Sequence, residues 1–168
     1  MAAGLSGTQG VQFGLAHHDD ADGIVAMGRA MNLEAESYKH VVFDEERTRA
    51  TLAPIIEAGT CVVARAWVGD DAPILAGFIA GYVVPHFFGQ GSTSVELVVY
   101  VCPEWRKTRV AMRMIRYWEA RSRTLGADGM FLAVSTGGPK AAAIGRLYTS
   151  MGFESVGSMH HKLLKSAP

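Results

Sequence analysis

Val95-Glu96-Leu97-Val98-Val99-Tyr100-Val101-Cys102-Pro103-Glu104-Trp105-Arg106-Lys107-Thr108-Arg109-Val110-Ala111 is the stretch whose reading decides the fold. Val95 to Val101 has the apolar, β-branched texture of a buried strand, and a cationic turn then leads directly into a helix. The first N–H groups of a helix lack intrahelical partners and its macrodipole is positive there, so strand, basic turn and helix together form an anion site, most naturally for phosphate. In the helix, Ala111, Met114, Ile115, Trp118, Ser122 and Leu125 recur on one face, Arg113, Arg116 and Arg123 fall largely elsewhere, and Gly126 supplies the stop.

Three consecutive strands converge on this stretch. Cys61 to Val68 and Ile74 to Val84 are apolar and β-branched, separated by a turn of Gly69 to Pro73, and Pro85 to Gly91 loops into Val95 to Val101, which predicts an antiparallel meander. Upstream, Val11 to Leu15 reads as a short strand. Asp19, Asp20 and Asp22 open a helix to about Glu36, and Asp44 is an N-cap for a second helix that stops at Gly59 and that Pro54 should kink or split. Downstream, Met130 to Ser135 reads as a buried strand. Pro139 opens a helix carrying Ile144, Leu147, Tyr148 and Met151 on one face and ending at Gly152, and Phe153 to Val156 and Met159 to Leu164 read as two more strands. The expected architecture is α/β, a mixed, mostly antiparallel sheet of about seven strands flanked by about four helices.

At 168 residues with 49% hydrophobic content, the chain suits one core, hence a single domain over residues 1–168. Lys plus Arg and Asp plus Glu both number 16, but residues 1–60 hold nine acids and four bases whereas residues 104–123 hold seven bases and two acids. One element, rather than the whole protein, is suited to a polyanion. Cys61 and Cys102 lack metal-ligand or disulfide-framework spacing, and no basic-apolar leader or spanning apolar run is present, so a cytoplasmic protein without metal or membrane partner is expected.

Two segments in this order resemble the GNAT superfamily of acyl-CoA-dependent N-acyltransferases. Val101, Pro103, Trp105, Arg106 and Ala111 match the family's strand-turn-helix pattern, and Leu147-Tyr148-Thr149-Ser150-Met151-Gly152-Phe153 matches its Leu-Tyr-x-x-x-Gly-Phe segment. The turn departs from the family where glycines are usual, at Lys107 and Arg109, and the asparagine common seven residues before the tyrosine is Ala141. Either Lys107 and Arg109 replace close backbone approach with charge-assisted contacts to phosphate, or the site has decayed.

The resemblance implies transfer of an acetyl group from acetyl-CoA to a primary amine, on a small molecule or a protein, by direct attack in a ternary complex. It places the pyrophosphate on Arg106, Lys107, Thr108, Arg109, Val110 and Ala111, and the pantetheine arm along Leu97, Val99 and Val101. It makes Tyr148 the donor to the departing thiolate, since a phenol is protonated at neutral pH. An ammonium must lose its proton before attack; Glu96 is the only acid of its strand and the first candidate base, with His86 the other. Glu34, Glu36, Tyr38 and His40, between the first two helices, and His86, Phe87 and Phe88, before the third long strand, are the candidate acceptor residues. Phe87 and Phe88 are equally a plug or a homodimer contact. Two rival readings remain, a catalytically silent CoA-binding sensor or scaffold and a nucleic-acid-binding protein using the basic helix, the latter disfavoured by a pI near 7.

Overall fold

Alternating residues of a central sheet are sorted onto two helix-covered faces in the computed structural model, which describes residues 10–68, 72–135, 138–160, 162 and 164. The elements are β1 (Val11–Leu15), α1 (Ala21–Glu34), α2 (Glu45–Glu57), β2 (Cys61–Ala66), β3 (Ile74–Pro85), β4 (Ser92–Val101), α3 (Val110–Thr124), β5 (Gly129–Phe131) and α4 (Gly138–Ser150). The sheet order is β1-β2-β3-β4-β5, antiparallel throughout except for the parallel β4–β5 pair.

Period-2 alternation divides the core into two layers. Val62, Ala64 and Ile79 pack with Trp105, Met114, Ile115, Trp118 and Tyr148 beneath α3 and α4. Cys61, Val63 and Phe78 pack with Ile24, Met31, Leu52 and Ile55 beneath α1 and α2. Trp118 is anchored by donating its indole N–H to the Thr60 carbonyl at 3.1 Å, and Arg121 donates to the Gly59 carbonyl at 2.9 Å. Arg123 pairs with Glu119 at 2.5 Å and Arg113 lies over the Phe13 ring, so the basic face of α3 is partly consumed within the fold.

Helix ends follow local chemistry. Asp44 accepts the Arg47 N–H at 2.9 Å as N-cap of α2, and Gly59 beyond its end takes φ +65°. Contrary to the expected split, α2 is continuous across Pro54. Pro54 forgoes its own bond to the Ala50 carbonyl, but only three helical residues follow it, so no second segment is left to split off.

The strand count also differs: five strands are present among the described residues rather than about seven. Phe153 to Val156 forms no strand, and Met159 to Leu164 lies in part outside the described residues. The expected strand Met130 to Ser135 is confined to Gly129–Phe131, because the next ladder donor, the Ala133 N–H, is taken by the Glu96 carboxylate at 2.8 Å. A three-residue β5 leaves little edge on which Phe153 to Val156 could pair. Among the described residues no helix is long and apolar enough to cross a membrane.

Candidate active site

β4 and β5 make a fork. They pair at Thr93–Gly129, Ser94–Met130 and Val95–Phe131 and then diverge, leaving the β4 edge from Glu96 to Val101 without a strand partner on that side among the described residues. Backbone groups on this edge are therefore available to an extended ligand. Leu97, Val99 and Val101 all lie here, although the Val101 carbonyl already accepts the Arg106 Nε–H at 2.8 Å.

At the mouth of the fork β4 carries a bulge. Ala80 pairs with Val98 and Gly81 with Glu96, so Leu97 is a surplus residue in the ladder. The bulge sends the two flanking side chains to opposite faces. Val98 joins the layer beneath α1 and α2. Glu96 lies opposite Gly81, where an added Cβ would come within 2.8 Å of Trp118 in α3, so its carboxylate is on the α3–α4 side with Tyr148.

Burial raises the Glu96 carboxyl above its ordinary range, partly offset by the bond from Ala133. The Tyr148 ring is buried against Phe153 at 5.8 Å between centroids. Burial pushes its phenol well above the usual tyrosine range, and the Glu96 charge adds to the shift, so Tyr148 stays a proton donor. Its hydroxyl makes no hydrogen bond among the described residues. The two candidate catalytic side chains therefore share one electrostatic field at the open edge.

The basic turn needs no glycine. Arg106 has φ −66° and Arg109 φ −85°, and no described non-glycine residue has positive φ, so Lys107 and Arg109 occupy their positions without strain. The Thr108 hydroxyl donates to the Trp105 carbonyl at 2.6 Å and accepts the Val110 N–H at 3.2 Å. The N–H groups of Ala111 and Met112 close onto no backbone carbonyl among the described residues, and Lys107 and Arg109 are exposed and form no ion pair there. Free cations beside free amides suit a pyrophosphate group.

Arg106 differs from its two neighbours. Its guanidinium holds both Glu34 oxygens, at 2.8 and 2.9 Å, and lies 5.3 Å over the Tyr100 ring. Tyr100 donates to the same carboxylate at 2.9 Å, and Lys140 approaches it at 3.7 Å. The Arg106 bond holds the Glu34 carboxyl below its usual range. Both side chains are thus spent on each other, tying the end of α1 to the turn, rather than extended toward a pyrophosphate or a cationic amine.

On the other face, a cavity of about 430 Å³ opens between α1, α2 and the sheet, with Met31, Tyr38, Phe43 and Leu52 on its walls and Leu97 and Val98 at its sheet end. Of the expected acceptor residues, Tyr38 lines it. His86 and Phe87 do not; they lie at the tip of the β3–β4 hairpin, where His86 Nε2 meets Asp128 Oδ1 at 2.5 Å and Phe87 is 91% exposed. Five strand residues, about 17 Å, separate that end of β4 from the bulge. Glu36 pairs with Lys39 at 2.6 Å. Phe43, Arg47 and Val98 line the cavity without having been singled out in the sequence, where an apolar residue before an N-cap reads as a helix staple. Among the described residues no cluster of His, Cys, Asp and Glu could hold a metal ion.

A sequence model described as the acetyltransferase (GNAT) family matches residues 28–153. No curated protein matches the sequence significantly. Among solved structures, AAC(6')-Iy in complex with the bisubstrate analog CoA-S-monomethyl-acetylneamine superposes with a TM-score of 0.69 at 11% identity, over 93% of this chain and 99% of that one. A predicted acetyltransferase with acetyl-CoA from Clostridium acetobutylicum gives a TM-score of 0.69 at 13% identity, over 92% and 96%. A transcriptional regulator from Bacillus halodurans gives 0.66 at 14% identity, over 93% and 98%. At such identities the likeness is one of fold.

Proposed function

Because the chain belongs to the acetyltransferase (GNAT) family, we propose that it transfers an acyl group, acetyl in the first instance, from coenzyme A to a primary amine. The observation that carries this reading is the continuity of the unstrained cationic turn with the open β4 edge and its bulge. Lys107, Arg109 and the free amides of α3 would hold the pyrophosphate, and the edge from Leu97 to Val101 the pantetheine arm. Structures similar in fold contain CoA or acetyl-CoA, which supports the same cosubstrate here.

Bound acyl-CoA would supply an activated acyl carbon: the amine nitrogen forms the C–N bond, the C–S bond breaks, and amide and free thiol leave. The chain's own task is proton management. Tyr148, kept protonated by burial, donates to the sulfur side. Glu96, with its affinity for a proton raised, accepts from the amine directly or through water. The unpaired backbone at Leu97 is placed to orient a carbonyl oxygen.

Thermal shift with acetyl-CoA, CoA and dephospho-CoA, followed by thiol release over an amine panel, tests this. The melting temperature should rise with ligand above its dissociation constant; no rise at millimolar concentration of any of the three would sink the reading. A silent CoA-binding protein, favoured by Ala141 in place of the usual asparagine, would shift in melting but release no thiol.

A further inference from the structure

The cavity beside the bulge says which amine the acyl transfer proposed above would serve. Its walls are mostly aromatic and aliphatic, and the donors of Asn32, Thr48 and Thr51 among them are already committed, whereas the Tyr38 hydroxyl makes no hydrogen bond among the described residues. Asn32 Nδ2 donates to the Val41 carbonyl at 3.2 Å, Thr48 to the Asp44 carbonyl at 2.6 Å and Thr51 to the Arg47 carbonyl at 2.9 Å. Asp44 and Arg47 are the only charged residues among the described lining; both are exposed, they form no ion pair with each other among the described residues, and their formal charges sum to zero.

That leaves Asp44 as the single carboxylate of the described lining, balanced by one guanidinium, and two further carboxylates of the α1–α2 layer are already neutralised. Glu34 is held by Arg106, and Glu45 by Arg29 at 2.5 Å and Arg49 at 3.0 Å. An amine with several ammonium groups would leave most of them desolvated and unpaired against apolar walls, a cost that an acceptor with one amine avoids by giving up its single proton before attack. A volume of about 430 Å³ lies within the range of small-ligand pockets.

We propose that the acceptor is a monoamine with an apolar body, a single ring or a chain of similar size, whose amine lies at the Leu97–Val98 end of the cavity. Polyamines and polycationic sugars are excluded from good turnover by charge rather than by shape. The Tyr38 and Phe43 rings on its walls suit an apolar body, although Arg29 already lies 5.0 Å over one face of Phe43.

Titration calorimetry with phenethylamine, spermidine and kanamycin, each with and without CoA, reads the preference directly, and thiol release with acetyl-CoA reads it in turnover. Phenethylamine should bind in the cavity and exceed either polycation in kcat/KM by at least about ten-fold. Val42→Glu, on a rim residue that is 91% exposed and so tolerant of change, should narrow that ratio by placing a carboxylate at the entrance. Equal or better binding of spermidine or kanamycin overturns the proposal, as does a phenethylamine preference that Val42→Glu leaves unmoved. A protein that binds CoA but prefers kanamycin overturns the acceptor class alone. One that binds no CoA overturns the acyl-transfer reading, while the calorimetry without CoA still judges the cavity.

Discussion

Glu96 pays for its position, and the sign of that cost makes its role testable. Its carboxyl is raised above the ordinary value of 4.5, so the folded chain holds this proton more tightly than the unfolded chain does. The stability penalty is absent below about pH 4.5 and grows as pH rises through the folded value. Glu96→Gln keeps an oxygen for the Ala133 N–H and removes the buried charge. The variant should therefore melt at or above the wild-type temperature at pH 7 while turnover falls roughly 100-fold, within the range for loss of a general base. Its rate profile should also lose the acid-side limb, which rises as Glu96 ionises; a melting temperature lowered by several degrees would mean that the charge itself is structural. Tyr148→Phe should lower kcat by about ten-fold or more and leave CoA affinity within about two-fold, read by turnover against calorimetry.

At the level of elements, the cations of the turn divide by task. Lys107 and Arg109 form no ion pair among the described residues, so Lys107→Ala and Arg109→Ala should each weaken CoA binding by about ten-fold in low salt, less at high ionic strength, with little change in melting temperature of the free protein. Arg106→Ala should instead lower folding stability by about 2 kcal/mol in denaturant titration, since it removes the bidentate guanidinium contact to Glu34, which keeps only Tyr100 and the more distant Lys140, and the side-chain donor to the Val101 carbonyl. The strand, turn and helix were legible because hydrophobic period and cationic spacing are local signals. The Arg106–Glu34 bond joins residues 72 apart and has no such signal. The cavity was equally hidden, because Met31, Leu52 and Phe43 look in sequence like any other core residues. β5 was overextended for a related reason: its apolar run continues to Val134, but a side chain from the neighbouring strand, rather than composition, ends the ladder.

Across the whole molecule, the sheet is a partition. Glu96 and Tyr148, the proposed proton-handling side chains, stand on the α3–α4 face and the proposed acceptor cavity on the α1–α2 face, and the β4 edge that has no partner strand among the described residues joins the two. Strict alternation counted back from Val101 would have put Glu96 on the cavity face; the bulge inverts that count, which is why the sequence left its orientation open. The chain thus carries one residue more than its hydrogen-bond ladder can use. Removing Leu97 would, unusually for a deletion inside a central strand, restore regular pairing and leave Glu96 and Val98 on the faces they already occupy. The shortened protein should fold with unchanged or higher melting temperature, yet turn over at about a hundredth of the rate or less, having lost the bulge whose surplus backbone group is proposed to orient the acyl carbonyl. Such a deletion separates foldability from catalysis by a single, dispensable amino acid.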